Sequence, residues 1–393
     1  MKRDIIQPTD INYKICARCI YDTRVPRIVF DSEGVCNYCH MSDELKSQFG
    51  TGSKKGNQKF SQIVDEIKKA GKGKKYDCVI GVSGGIDSSY MIHMAVNLGL
   101  RPLAVHYDNT WNSAIATENI RKILNKLNVD LFTHVTNNKE SDDIFNAFFK
   151  SGVAELDAST DLAFAQTHYL AAAKYGVKYV LEGHSFIEEG VSPLSTMYFD
   201  GRYIKSIHQR YGQKKMRTYP LMTFGQFMKW TLFKRIRKIR PYWYIEYSKE
   251  EAKKILEKEY GWEYYGGHHL ENRMSAFMHS YYLPNRYQID QRNNSLSARV
   301  RNGSMDRHAA LIEYSHPPHL EDGLVGYFQK RLGLTEESFN EYMSQPLRSF
   351  ENFPTYKRRF ERFRPLFFLL AKVNLVPMSF YLKYCFPIRS EKL

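Results

Sequence analysis

The segment Ser83-Gly84-Gly85-Ile86-Asp87-Ser88 limits what this chain can fold into more than any other. It directly follows YDCVIGV (76–82), a short apolar run that reads as a buried strand, and runs into SSYMIHMAVNLG (88–99), whose apolar spacing is helical. A glycine pair at a strand-to-helix turn lets the backbone come close to a phosphate. Serine hydroxyls and the free amides of the helix start complete an anion nest. The loop lacks both the GxxxxGK[ST] lysine and the GxGxxG pattern, so it is neither of the two commonest phosphate cradles. Further units alternate downstream: RPLAVHY (101–107) as strand, TENIRKILNKLN (117–128) as amphipathic helix, DLFTHV (130–135) and KYVLEGH (178–184) as strands, with helices around Asp143–Lys150 and Asp161–Tyr175. Such alternation predicts an α/β fold with a parallel sheet, helices on both faces, and a ligand outside the carboxyl ends of the strands.

That rule picks out two further strand ends. His106, Asp108 and Asn109 follow the second strand, and Glu182, Gly183 and His184 follow the last one, so both groups are expected beside the loop. The sequence divides into a cysteine-punctuated module over 1–50, an α/β unit over 60–192, and a basic, aromatic, mainly helical region over 193–393. Gly50–Lys59 (GTGSKKGNQK) reads as a linker or loop. Ser248 with Glu251 three residues on predicts a capped helix to about Tyr260, and Glu271–Tyr281 reads as another helix.

Cys16, Cys19, Cys36 and Cys39 form two CxxC knuckles separated by 16 residues. Four thiolates at that spacing fit a closed tetrahedral zinc ribbon, a structural site, and a stretch this short could hardly fold without the ion; an iron–sulfur cluster and redox dithiols are the alternatives. Tyr13, Ile20, Val25, Val29 and Tyr38 are expected to supply the ribbon's apolar face. Cys78 and Cys385 read as buried, inert thiols.

Charge separates the halves. Lys and Arg number 57 against 42 Asp and Glu, yet residues 1–200 carry 23 cations and 24 acids, so the whole excess of +15 arises after residue 200. This nominates nucleic acid, an anionic membrane surface or phosphorylated substrates as partners of the second half. The run Lys229–Arg240 (KWTLFKRIRKIR) reads by default as a solvated helix face, with binding to phosphate, RNA or an anionic partner surface as the alternative. Gly261–Asn272, with His268, His269 and Glu271, reads as a surface-packing loop or a recognition loop. MKRDIIQPTD has no apolar signal region, which predicts a cytoplasmic protein. The apolar tail Pro365–Phe386 is interrupted by charge and proline and is too short in its uncharged runs to span a bilayer. It is expected to pack as a core element, or to lie on the inner membrane surface beside Lys357, Arg358, Arg359, Arg362 and Arg364.

The SGGIDS loop resembles that of the PP-loop ATP pyrophosphatases, which have an adenine nucleotide alpha hydrolase-like fold and transfer AMP to a substrate oxygen. Taken with the CxxC pair, VHYDNTWN, Thr160-Asp161, IHQRYG and YSKEEAKKILEKEYGWEYYGGHHLEN, the chain resembles over roughly residues 12–310 the N-acetyl sugar amidotransferases of O-antigen and flagellar-glycan biosynthesis. Where such proteins continue after the last strand as a Gly-Gly-Asn type turn, this chain has Glu182-Gly183-His184. The resemblance implies an ATP-dependent ligase that forms AMP and pyrophosphate. It adenylates the N-acetyl carbonyl of a UDP-activated sugar and uses ammonia from an imidazole glycerol phosphate synthase-like glutaminase subunit, with a cyclase-like subunit as a further partner. Asp87, Ser83 and Asp161 would be catalytic. Ser83, Gly84, Gly85, Asp87, Ser88, His106, Asp108, Glu182 and Gly183 would hold ATP and Mg²⁺, and the four N-terminal cysteines would hold structural Zn²⁺. A tRNA-modifying PP-loop enzyme, thiolating or lysidine-forming, is the competing reading, and a catalytically silent assembly protein is the third; nucleic acid is the minority partner.

Overall fold

The computed structural model describes residues 13–191, 197–267, 270–373 and 375–385. Its centre is a five-stranded, wholly parallel sheet: β1 (Cys78–Gly81), β2 (Pro102–Asp108), β3 (Leu131–Val135), β4 (Tyr179–Leu181) and β5 (Arg237–Ile239), in the order β3-β2-β1-β4-β5. Four strands are those the apolar runs predicted. The fifth comes from beyond residue 192 and lies inside the basic run Lys229–Arg240, which is therefore not a solvated helix face. A turn of π-helix over Lys229–Phe233 leads into an edge strand pairing Tyr179 with Arg237 and Leu181 with Ile239.

Period-2 alternation along the strands divides the core into two layers. Val79, Leu103, Val105 and Val180 face one side and Cys78, Ile80, Ala104 and Leu181 the other. The second side is covered by α2 (Lys54–Gly71), α3 (Ile86–Asn97), α4 (Ala114–Leu127) and α8 (Lys249–Tyr260), while α1 (Asn37–Phe49) closes the cysteine module. The first side takes α5 (Asn138–Ser151), α6 (Ala158–Lys174) and α7 (Gly201–Tyr211), and the aromatic C-terminal region docks on them. Phe277 stacks on Phe328 with centroids 3.7 Å apart, and both meet Phe149. This is where the many Tyr and Phe of the second half are buried.

Two local readings change. Gly50–Lys59 is not a free linker: Ser53 caps α2 by accepting from the Gly56 amide at 3.3 Å, and Phe60, Val64 and Ile67 anchor the helix on the core. Gly56 lies so close to the Gly50 and Tyr244 carbonyls that a Cβ would come within 2.1 and 2.3 Å of them. The helix expected over Glu271–Tyr281 is α9 (Arg273–Phe277), widening into a π-helix over Met278–Tyr287 that contains Pro284. A proline has no N–H for the regular ladder, and a widened turn accommodates it. Ser248 caps α8 as its sequence predicts, its hydroxyl accepting from Glu251 N.

One face of the tail packs inward, and the other, with Leu366, Leu369 and Val373, stays exposed. α10 (Arg364–Lys372) and α11 (Met378–Tyr384) bury Phe367, Ala371, Tyr381 and Cys385 against Phe360. No helix among the described residues is long and apolar enough to cross a membrane.

One buried acid makes stability depend on pH. Glu155 accepts from the Tyr198 amide and the Tyr203 hydroxyl, and burial pushes its pKa from 4.5 up to about 7. Between those values the unfolded chain releases a proton that the folded one keeps, so stability falls as pH rises through the window, by about 3 kcal/mol for a shift of this size. Glu155→Gln should flatten that slope. Thermal melts at pH 4.5 and pH 8 are expected to show the variant gaining on the parent only at the higher pH.

Candidate active site and metal centre

The Ser83–Ser88 segment forms the strand-to-helix turn that its sequence predicts. Val82 ends the first strand's run, Ser83-Gly84-Gly85 turns, and α3 begins at Ile86 with Gly85 as its N-cap and no side chain closing its first amides. Gly84 has φ +86°, and a Cβ there would come 2.2 Å from the Ala116 carbonyl oxygen, so only glycine allows α4 to pack this tightly. The Ser83 and Ser88 hydroxyls are 3.4 Å apart, and Ser88 Oγ also accepts from the Ser83 amide. A helix start with no side-chain cap beside two hydroxyls is an arrangement that suits an anion.

The loop forms one wall of a cavity of about 790 Å³. Of the strand-end residues, His106, Glu182, Gly183 and His184 reach it, and Asp161 enters from the first turn of α6. His106 is held from both sides. Its Nδ1 donates to the Val82 carbonyl at 2.9 Å, which leaves Nε2 to accept from the Asn112 amide at 2.9 Å. That fixes the loop's start. Asp108 is not brought to the cavity. Its Oδ1 accepts from the Thr110 amide at 2.7 Å, bracing a turn in which Thr110 adopts φ +59°, and Asn109 and Asn112 line the wall instead.

Asp87 sits in a half-buried ion network. Lys249 Nζ is 2.9 Å from Asp87 Oδ2 and 3.3 Å from Glu189, and the Tyr247 hydroxyl donates to Oδ1 at 2.6 Å. Burial pushes the Asp87 pKa up to about 6, with the Lys249 ammonium opposing it. Lys249 stays charged: burial works against it, and the two carboxylates outweigh burial. Glu182 is bound by Lys238 and by Arg240 Nε at 3.2 Å, and these two cations keep it ionised in spite of burial. Burial pushes the neighbouring His184 down to about 4, with Arg240 adding to it, so it is neutral near pH 7.

Of the described residues in 261–272, Tyr265, Glu271 and Asn272 line the cavity and Trp262 is buried, while Gly261, Glu263, Tyr264 and Gly266 are exposed. The Trp262 indole donates to the Gly84 carbonyl at 3.0 Å, and Glu271 Oε1 accepts from the Ser83 hydroxyl at 3.3 Å. His268 and His269 lie outside the described residues. Lys249 and Tyr247 carry no site signal in the sequence, Lys238 and Arg240 belong to the basic run Lys229–Arg240, and Lys383 stands out only as a charge within the apolar tail. Lys249 was absorbed into a helix-capping pattern, and the Lys238/Arg240 alternation, a period-2 signal, was masked by the surrounding charge.

The cavity runs inward past the loop. There it is walled by Phe224, Phe227, Phe360, Phe380 and Tyr384, with Lys383 projecting into it. His168, also in the lining, is buried with neither ring nitrogen bonded among the described residues, and burial holds it neutral, its pKa down at about 3. No cysteine lines the cavity. The Cys78 thiol, in β1, is raised by burial, and that of Cys385 is pushed up to about 12, so neither presents a thiolate.

The four N-terminal cysteines converge. All four sulfurs lie within 4.8 Å of one another, with Cys16–Cys39 and Cys19–Cys36 at 3.8 Å and Cys36–Cys39 at 3.6 Å. Zn–S bonds of about 2.3 Å in a tetrahedron place sulfurs about 3.8 Å apart, so the set can take one such ion. A cubane cluster, with irons at separated corners, would need the sulfurs splayed farther. The Arg301 guanidinium, its nitrogens shut off from solvent, faces Cys19 and Cys39. A cation so placed fits a thiolate-rich, net negative centre. Of the expected apolar face, Val25 and Tyr38 pack inside with Tyr21, Ile20 turns to Leu296 and Ala310, and Val29 is exposed. Arg307 donates to the Cys16 and Cys19 carbonyls, and Tyr21 to Asn294, so the module is docked on the C-terminal region.

Residues 271–366, about a quarter of the chain, match the family model "LPS biosynthesis protein WbpG-like, C-terminal domain". No curated protein matches the chain. Among solved structures, it is similar to NMN synthetase from Francisella tularensis (16% identity, 56% of this chain and 92% of that one, TM-score 0.26). It is also similar to the NH3-dependent NAD synthetase of Campylobacter jejuni (14%, 74% and 97%, TM-score 0.27) and to the U34-tRNA thiolase NcsA of Methanococcus maripaludis with its [4Fe-4S] cluster (10%, 78% and 90%, TM-score 0.30).

Proposed function

We propose that this chain is the synthetase of an ATP-dependent amidotransferase acting in lipopolysaccharide O-antigen or surface-glycan synthesis. The carbonyl oxygen of a sugar N-acetyl group attacks the α-phosphorus of ATP and pyrophosphate leaves. Ammonia then attacks the O-adenylated carbon, AMP departs with the C–O bond, and an acetamidino group remains. The observation that carries this reading is the open SGGIDS cradle at one end of a cavity whose inner end is apolar and cationic. At about 790 Å³ it stands in the upper part of the range for small-molecule sites, roughly 300–1,000 Å³, with room for two ligands.

Ser83, Gly84, Gly85 and Ser88 would hold the pyrophosphate. Asp87 and Glu271, carboxylates beside a polyphosphate, would require a divalent cation between, which is the place for Mg²⁺. Lys249 keeps Asp87 ionised and aimed. Asp161, His168 and Lys383 face the inner end, where the UDP-N-acetyl sugar is assigned. The protein's task there is positioning and neutralising charge at the α-phosphate.

The absence of any cysteine from the lining residues supports an external ammonia source, a glutaminase partner with a cyclase-like companion, and speaks against thiolation of tRNA. The family match of residues 271–366 supports the glycan setting. Zinc is the ion assigned to the four cysteines.

Purified protein with ATP, Mg²⁺, ammonium and UDP-N-acetyl sugars tests the reading. AMP and pyrophosphate should appear only when the sugar is present, with an acetamidino product in the mass spectrum. Stimulation by tRNA and not by any sugar would overturn it.

A further inference from the structure

α10 has two unlike faces. Inward, Phe367 and Ala371 pack with Phe360, Tyr381 and Cys385. Outward, Leu366, Leu369 and Val373, spaced i, i+3, i+7, are 51%, 59% and 53% exposed, and Phe363, Phe368 and Leu375 extend the apolar surface. Such a stripe is a face that water does not favour.

Its rim is cationic. Arg358, Arg359, Arg362, Arg364 and Lys372 are all exposed, and the single acid between residues 357 and 375, Glu361, is paired with the buried Lys357. Nine residues make a helix about 13 Å long, too short to span a bilayer and long enough to lie along one. α11, packed behind α10, carries Phe380, Leu382, Lys383 and Tyr384 of the cavity wall, so the exposed face lies on the outside of the helix pair that closes the inner chamber.

We propose that this face docks on an anionic lipid bilayer, with the apolar stripe in the headgroup–acyl boundary and the five cations among the headgroup phosphates. Only this partner answers both halves of the surface. A second copy in a two-fold contact would set five cations against the same five, which repels. A nucleic acid would neutralise the arginines and leave Leu366, Leu369 and Val373 in water.

The test is flotation of the full chain with vesicles of phosphatidylglycerol and phosphatidylcholine against vesicles of phosphatidylcholine alone. Binding should be tenfold or more stronger to the anionic vesicles and should weaken as salt is raised. Leu366→Glu with Leu369→Glu, and separately Arg358→Glu with Arg362→Glu, should each weaken it at least tenfold while leaving ATP binding and the melting temperature in place. Should the glutamate pair disturb the fold, Leu366→Ser with Leu369→Ser is expected to give the same loss. Equal binding to neutral vesicles, or parent-level binding by the variants, would overturn the proposal. So would variants that turn an oligomer into a monomer, or abolish binding to RNA, without changing vesicle flotation.

Discussion

Asp87→Ala is expected to reduce AMP and pyrophosphate release by at least two to three orders of magnitude, the scale on which removing one preorganised electrostatic partner of a transition state acts. The protein should remain folded. Asp87 lies in the first turn of α3, where the helix is held by apolar packing of Met91, Ile92 and Ala95 against the sheet rather than by the carboxylate. What the substitution removes is the acceptor of Tyr247 and one of two carboxylates facing Lys249, and Glu189 still pairs that ammonium at 3.3 Å. Circular dichroism and a melting temperature close to the parent's, with turnover lost, are the expected pair of results. Retained turnover would show that the carboxylate serves only to place α8. Lys249→Met provides the complementary reading. Without the ammonium, burial and Glu189 both raise the Asp87 pKa further, so ATP binding measured without Mg²⁺ should respond at higher pH than the parent's value of about 6.

How much of this was readable in advance depended on which physical signal each residue carried. The Ser83–Ser88 loop was legible because a glycine pair between an apolar strand and a helix has few other uses, and the structure finds Gly84 at a φ that requires glycine. Four strands were legible from short apolar runs. β5 was not, because an edge strand beside a polar cavity needs no apolar run: Lys238 and Arg240 point to Glu182, and their alternation is charged rather than hydrophobic. Asp108 was placed in the site by the strand-end rule, which fixes where a strand stops and not which way the next turn carries its last side chain. The Lys249–Asp87–Glu189 network joins three segments sixty residues apart in their closest pair, and long-range pairing of that kind leaves no local pattern. Trp262 and Glu271 looked like surface aromatics and charge because nothing in their own neighbourhood announces contact with Gly84 and Ser83.

The cysteine module is where removal of a bound group should have its largest effect. Its buried interior is small, formed by the four cysteines with Tyr21, Val25 and Tyr38. Apolar area on that scale does not offset the ordering of some forty residues, so a bound ion would supply the difference; structural zinc in isolated finger peptides contributes on the order of 10 kcal/mol or more. Cys36→Ser removes one of four ligands and leaves Arg301 facing a less negative centre. The expected outcome is loss of about one equivalent of zinc per chain, a lower melting temperature and poorer solubility. The consequence should spread beyond residue 50, because Arg307, Asn294, Leu296 and Ala310 lose the module they pack on. The chemistry should be spared in whatever fraction stays folded, since none of the four sulfurs lines the cavity that holds Ser83 and Asp87. Zinc content by atomic absorption, a melting curve and the sugar-dependent AMP assay on the same preparation separate these effects. A soluble, zinc-free, fully active Cys36→Ser protein would remove the structural role. A variant that keeps its zinc and its fold while losing turnover would move the metal from the scaffold into the chemistry.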